Sequence, residues 1–523
     1  MTRLCSRLPA ALALLLVAIG VLFRVYRFWS LPGVTADEGW WGLQALALAR
    51  GGDTSPTTLS GNPANPFLLY PMAFLHLFVQ PSFLALRLVP LVSNLLMLAC
   101  LYWLARRALG PVVAATLTVG LAVLPVAIHC GRLAYDPSQS ILASGVVVLL
   151  ALHTLSAPRW AWTALATLAA FVAALFVHPT NIFTAPFLLV VAVQLAVRHG
   201  QALRARWCLS FVGGLLVAGL LVAAWLFLKG YAKERGTWLD KPWLSVAFGH
   251  LTTVMDVKDF IVRYGRLFNG GIVYLYASNS WMVMLAHDLC GLAVGISVLL
   301  GVRSVLRRSP SATDKALFGS WALSLLLFWA FGGSVGLGPG LHYGLALVVP
   351  ALLVAGRVVA EGVAGSALVR RMTLTGGFAA AGLLAASFWS NYFVEFSTTG
   401  GRGHRTFKTG AEEPKAAALA AILRGAPPDG KTTIVSTDWW CAWPLQYLAA
   451  GHPEVECVEG PPAPVDLARG LREGRLYGIE YSECSGHSGL RHLATIHGCP
   501  FVEWTVPKGI TVLSRDRPSL HER

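Results

Sequence analysis

The chain has 523 residues, of which 55% are apolar and 13% charged, with a mean hydropathy of +0.60; this balance excludes a soluble globular protein and indicates a polytopic membrane protein. A formal net charge of +15 would suggest nucleic acid in a soluble chain. Here much of the Lys and Arg stands in short segments between apolar runs, as the positive-inside rule requires, so no nucleic-acid partner is inferred.

Apolar runs of roughly 18 to 25 residues predict spans over 9–28, 83–105, 111–128, 138–155, 160–177, 180–197, 207–229, 281–302, 316–333, 341–359 and 373–391, about eleven transmembrane helices. A cytoplasmic N-terminus with Arg3 and Arg7 places Arg106 with Arg107, Arg159, Arg198 with Arg204 and Arg206, Arg303 to Lys315, and Arg357 to Arg371 in the cytoplasm. The first run has no small-residue cleavage site after it and ends at Arg24 and Arg27. It therefore reads as a retained helix with those arginines snorkelling to the interface. The runs 160–177 and 180–197 meet at His178-Pro179-Thr180-Asn181, and a pair of half-inserted helices is the alternative there.

This topology sends 29–82, 129–137, 230–280 and everything after about 391 to the outer face. The first outer segment opens on Asp37 and Glu38. A short helix over Gly39 to Ala49 follows, offering Trp40, Trp41, Leu43, Leu46 and Leu48 to a membrane surface, and Asn62 to Pro71 reads as irregular. The second carries Arg132 and Asp136, and His342 and Tyr343 follow the Gly-rich stretch 332–340. Acids, Arg and His gathered on one face of a membrane protein point to a functional site. Competing structural uses exist: Asp37 and Glu38 capping the helix, Arg132 neutralising Asp136, and His178 closing a turn.

Beyond about 391 charges and turn signals appear, so 1–391 reads as a membrane domain and 392–523 as a small soluble α/β domain. Helices are expected over Ala416–Leu423 and Val465–Leu471, and strands over Thr432–Thr437 and Pro500–Val506. Cys441, Cys457, Cys484 and Cys499 fall in this domain and could form two disulfides on an oxidising outer side.

Asp37-Glu38 directly after the first span, Arg87 opening a span that ends at Leu104-Ala105-Arg106-Arg107, and Gly131-Arg132-Leu133-Ala134-Tyr135-Asp136 after the third span together resemble the C-type glycosyltransferases. The likeness is to the bacterial protein O-mannosyltransferase and aminoarabinose transferase members. His178-Pro179-Thr180 and His342-Tyr343 with Pro350 sit where related sequences carry similar polar motifs, and the resemblance spans roughly residues 8 to 360.

The resemblance implies an inverting enzyme of a bacterial inner membrane, moving a sugar from a polyprenyl-phosphate carrier to a protein, lipid or polysaccharide acceptor on the extracytoplasmic face. Such a reaction needs a base for the acceptor hydroxyl, for which Asp37 is the candidate, with Glu38 and Asp136 beside it. The departing phosphate needs a cation or preorganised donors, for which Arg132, His178, His342 and Tyr343 are candidates. Lys233, Arg235, Arg263 and Arg266 of the 230–280 loop are alternatives to Arg132. A divalent metal ion held by Asp37, Glu38 and Asp136 would serve the same end. The absence of a Gly-rich strand-to-helix turn suits a lipid-phosphate donor. A flippase, or a polymerase or ligase of lipid-linked glycans, is the competing reading; a flippase would place its charges along a path within the spans.

Overall fold

The computed structural model describes residues 2–58, 63–199, 260, 264, 265, 267, 268, 311–332, 341–410, 412–426, 430–460, 464–481, 494, 495, 501–506 and 510–515. The predicted spans 207–229 and 281–302, the four basic residues named in the 230–280 loop, and Cys484 and Cys499 lie outside them.

Among the described residues seven helices are long and apolar enough to cross a membrane: Leu8–Val25, Phe83–Leu109, Pro137–Thr154, Trp160–Val177, Pro179–Arg198, Tyr343–Ala364 and Ala367–Thr398. They fall on seven of the predicted runs. The chain-order labels begin with α1 (Thr2–Val25), α2 (Ala36–Ala49), α3 (Pro66–His76), α4 (Phe83–Leu109), α5 (Pro111–Val123) and α6 (Pro125–Cys130). Next come α7 (Ser140–Thr154), α8 (Trp160–Val177) and α9 (Ala185–His199). The predicted run 111–128 divides into α5 and α6 because Pro125 has no N–H to continue the ladder. The run 316–333 is the helix Ala312–Gly332. A 3-10 turn, Pro179–Thr184, separates α8 from α9 at the His178-Pro179 junction. The Pro-rich stretch expected to be irregular is instead helical: Asn65 caps α3 through the Phe67 amide, and Pro66 stands at its first position, where a missing N–H costs nothing.

Three arginines are fully buried at one end of this bundle, and each spends its donors on chain ends. Arg24 donates to the carbonyls of Gly20, Leu121 and Ala122, each at 2.8 Å, and to the Asn94 side chain. It thereby joins α1, α4 and α5. Arg87 donates to Phe28, Pro32 and Gly33 carbonyls and grips Glu38 with two parallel bonds of 2.7 and 2.6 Å. Arg132 donates to the carbonyls of Phe23, Arg24, Tyr26 and Leu31. Those carbonyls lie at and beyond the C-terminus of α1, where the helix has no internal donors left. The expected snorkelling of Arg24 and Arg27 is therefore corrected. Arg24 is fully enclosed, and Arg27 reaches the Gly410 carbonyl at 2.6 Å.

The C-terminal unit is a five-stranded sheet of order β2-β1-β3-β5-β4, with β1 (Thr432–Ser436), β2 (Val455–Glu459), β3 (Leu476–Tyr481), β4 (Val502–Val506) and β5 (Ile510–Ser514). The β2-β1-β3 half is parallel and the β3-β5-β4 half antiparallel. The helices Pro414–Gly425, Trp439–Ala449 and Pro464–Arg472 accompany it; the expected helices fall within two of these, and the expected strands overlap β1 and β4. Cys441 is buried, Cys457 is half-buried, and both are free thiols. This corrects the expectation of disulfides at these two positions.

The helix Trp439–Ala449 packs along α2. A Cβ on Gly39 would stand 2.5 Å from the Pro444 nitrogen, and one on Gly42 would stand 2.5 Å from the Tyr447 ring. Arg50 at the end of α2 donates to the Ala450 carbonyl at 2.8 Å, so the two helices run parallel and their N-terminal ends lie together. Tyr447 also donates to the Ser82 carbonyl, at 3.1 Å. Trp40, Trp41 and Leu46 are consequently buried beneath this contact with Leu68, Leu86 and Tyr447. They do not face a membrane surface, as the sequence had suggested.

Two outcomes follow from this packing. Removing one member of a buried ion pair costs about 3–5 kcal/mol, so Arg87→Met is expected to lower the unfolding free energy of the purified protein by that amount, read from its thermal and denaturant transitions. The double variant Glu38→Leu/Arg87→Met recovers only part, because the Thr35 and Ala134 amides still lose an acceptor. Gly39→Val drives a side chain into Pro444 backbone that cannot yield. Limited proteolysis should then cut the connector 399–413 at least several-fold faster than in the native chain, and an unchanged cutting rate would refute the tight contact.

Candidate active site

The site is built at the N-terminus of α2. Thr35 is the N-cap, accepting from the Glu38 amide at 3.2 Å while Glu38 Oε2 accepts from the Thr35 amide at 3.0 Å, a complete capping box. Glu38 Oε1 also accepts from the Ala134 amide at 3.0 Å. With the two Arg87 bonds, both oxygens of Glu38 are fully used and its side chain is enclosed. Glu38 therefore has no lone pair for a cation or a reacting proton. Of the two uses expected for Glu38, the structure displays the helix cap, joined to an ion pair with Arg87, rather than an open catalytic or metal-ligating carboxylate.

Asp37 differs in every respect. It occupies the first turn of α2 and is half-buried, and no described residue makes a hydrogen bond or ion pair to its carboxylate. A helix N-terminus favours a carboxylate by about 0.3–1 kcal/mol. Burial, together with the adjacent Glu38 charge, outweighs that and pushes the Asp37 carboxyl up to about 6. The adjoining segment is held from both sides. The Gly33 amide donates to Phe407 and the Val34 amide to Glu413, the Thr406 hydroxyl donates to the Val34 carbonyl, and α2 itself lies on Pro444 and Tyr447. A proton-accepting oxygen on a rigid frame, with its own lone pairs free, is suited to general-base work.

The Glu38–Ala134 bond brings the second predicted outer segment against the first. Asp136 opens the 3-10 turn Asp136–Gln139 two residues later. Gln139 ties that turn to Asn65 at 3.0 Å, to the Phe67 carbonyl at 3.1 Å and to Ser93 at 2.9 Å. The turn packs against the 3-10 segment Leu341–Leu347, which holds His342 and Tyr343, and that segment packs against Pro179–Thr184. The His178 and Tyr343 rings come within 6.0 Å between centroids, and His178 Nδ1 meets the Thr180 hydroxyl at 2.7 Å. Asp136 and His342 are described at the backbone alone. Four of the polar motifs thus gather at one end of the bundle, whereas Arg106 and Arg107 close the far end of α4, about 30 Å from Arg87 at 1.5 Å per helical residue.

Arg132 stands among these motifs but is not free. All five of its N–H groups are directed at backbone carbonyls, and it is fully buried. The expected pairing with phosphate is corrected to a cap on the end of α1. Among the described residues no three His, Cys, Asp or Glu side chains stand together as a metal site. The sequence reading passed over Arg87 as a functional anchor, although a lone charge a few residues into an otherwise apolar span was its signal.

No protein-family model and no curated protein matches the sequence. Solved structures do match in fold. ArnT from Cupriavidus metallidurans bound to undecaprenyl phosphate aligns with a TM-score of 0.54 at 14% identity, covering 99% of this chain and 98% of that one. The same protein in the apo state gives 0.52 at 12% identity with the same coverage. An oligosaccharyltransferase from Archaeoglobus fulgidus in complex with Zn and sulfate gives 0.49 at 14% identity, covering 96% of this chain and 73% of that one. The end-to-end match to ArnT agrees with the fold that the Asp37, Arg132 and Asp136 motifs had suggested. The chain is an integral membrane protein with the C-type glycosyltransferase fold.

Proposed function

We propose that the protein is an inverting glycosyltransferase of a bacterial inner membrane, transferring a sugar from a polyprenyl-phosphate carrier to a hydroxyl acceptor on the extracytoplasmic face. The acceptor is a protein, a lipid or a polysaccharide. The observation that carries this reading is Asp37: a carboxylate with a raised pKa and no hydrogen-bond partner among the described residues, fixed beside a Glu38 whose oxygens are all engaged. The ArnT fold, solved with undecaprenyl phosphate, supports a lipid-phosphate donor. The burying of α2 beneath a large C-terminal unit at the end of the bundle opposite Arg106 and Arg107 supports an outer-face site.

In this mechanism the acceptor oxygen attacks the anomeric carbon of the donor from the face opposite the phosphate. The new C–O bond forms as the bond to the phosphate oxygen breaks. The acceptor proton passes to Asp37, and polyprenyl phosphate departs with the bonding pair, so a single displacement inverts the anomeric centre. Asp136 assists at the sugar, and His178, Tyr343 and His342 contact the donor phosphate. The carbonyl partners of Arg132 favour another cation for that task. The cation for the departing phosphate then comes from Lys233, Arg235, Arg263 or Arg266.

Asp37→Asn should reduce transfer from radiolabelled undecaprenyl-phosphate sugars by about 10²–10⁴-fold while leaving the unfolding transition in place; full transfer by this variant would end the proposal. A base must be ionised to act, and the Asp37 carboxyl titrates near 6. The rate of the native protein should therefore rise with pH through about 6 and level off above it, and a profile flat between pH 5 and 7 would contradict the assignment.

A further inference from the structure

The helix Trp439–Ala449 carries three indoles at its N-terminal end, Trp439, Trp440 and Trp443, each half-buried. The Trp439 centroid is 4.2 Å from that of Trp440 and 5.2 Å from that of Trp443. Packing accounts for part of this group: Trp440 rests on the sheet core and against the His404 ring, Trp443 rests on the α2 cluster, and Trp439 belongs to neither. Cys441, Leu445 and Ala449 already fill the face against the sheet, and Tyr447 fills the face against α2. The rings are nonetheless held in place. The Trp443 indole N–H donates to Glu459 at 2.7 Å, the Trp440 amide donates to Asp438 at 3.0 Å, and Arg405 pairs with Asp438 at 2.8 Å. A half-exposed aromatic surface bordered by fixed polar groups marks a recognition site.

Its position is informative. Because α2 and this helix run parallel, with Gly39 against Trp443 and Pro444, the indoles lie at the same end as Asp37. The rim nearest the indoles carries two carboxylates, the exposed Glu459 at the end of β2 and Asp438, against the single guanidinium of Arg405. An anionic bilayer surface or a phosphate group would be repelled there. A sugar ring fits. It presents an apolar C–H face to an indole and a rim of hydroxyls to carboxylates and a guanidinium, and it carries no charge.

We propose that Trp439, Trp440 and Trp443, with Glu459 and the Arg405–Asp438 pair, form the acceptor subsite, and that the acceptor is a neutral carbohydrate chain. This rests on the reading of Asp37 as the base of a sugar transfer and narrows its acceptor to one class.

The test uses the full-length protein in nanodiscs with two probes measured separately: undecaprenyl phosphate, and a panel of linear neutral hexasaccharides of mannose, glucose and arabinose. Saturation-transfer NMR of the native protein and of Asp37→Asn should show contact with the ring protons of at least one hexasaccharide. Trp439→Ala/Trp440→Ala should lose at least tenfold of that signal, and Trp439→Phe/Trp440→Phe should retain most of it. Undecaprenyl phosphate should bind all four proteins alike. The subsite is overturned if no hexasaccharide contacts the native protein, if the alanine variant binds unchanged, or if brominated lipids quench these indoles, which would place them in the bilayer. Failure of undecaprenyl phosphate to bind the native protein would count against the donor reading instead, and the hexasaccharide measurement stands apart from it.

Discussion

The buried pair between Glu38 and Arg87 holds the architecture of this end of the molecule. Taking a carboxylate and a guanidinium out of water costs several kcal/mol per ion, and their attraction compensates only when the remaining lone pairs and protons are also satisfied. Here they are. Arg87 places its other three N–H groups on Phe28, Pro32 and Gly33 carbonyls, and Glu38 takes the Thr35 and Ala134 amides. One interaction therefore fixes the exit of α1, the start of α2, the first turns of α4 and the segment leading to Asp136. The adjacent carboxylate of Asp37 is held in place by the same pair.

Such an arrangement divides the two acids that the sequence presents as a pair. Both sit in a helix first turn, where either could cap or react. Glu38, at the third helical position, reaches back to the Thr35 amide and across to Arg87; Asp37, one position earlier and turned about 100° around the helix, meets no partner among the described residues. The same economy governs the arginines. Helix ends within a bilayer leave carbonyls that water cannot reach, and Arg24 and Arg132 satisfy them. A guanidinium surrounded by carbonyls is a structural cation.

Seven of the predicted spans were legible because length and apolarity suffice for a membrane helix, and Asp37 stood out in the sequence by its place just past one. Arg132 was misread because its type suits phosphate equally well, and only coordinates reveal that Phe23, Arg24, Tyr26 and Leu31 already occupy it. In the C-terminal unit β3 escaped notice since Leu476 to Tyr481 are buried on both faces and show no alternation. The helix Trp439–Ala449 escaped because Pro444 and clustered tryptophans look like a loop in sequence. Trp40 and Trp41 read as an interfacial belt when their actual cover is a helix 400 residues further along.

That distant cover changes how the C-terminal unit should be regarded. A tail that merely followed the last membrane helix would touch the bundle through its connector. Instead Glu413 reaches the Val34 amide, Thr406 and Phe407 bind the strand before α2, and Pro444 lies so close to Gly39 that no side chain fits between them. The segment carrying Asp37 has a membrane domain on one side and this unit on the other. The surroundings of Asp37 are thus supplied in part by residues beyond 400. The frame around Asp37 is therefore shared: Glu38 and Arg87 secure it from the bundle, and Thr406, Phe407, Glu413 and Pro444 secure it from the C-terminal unit.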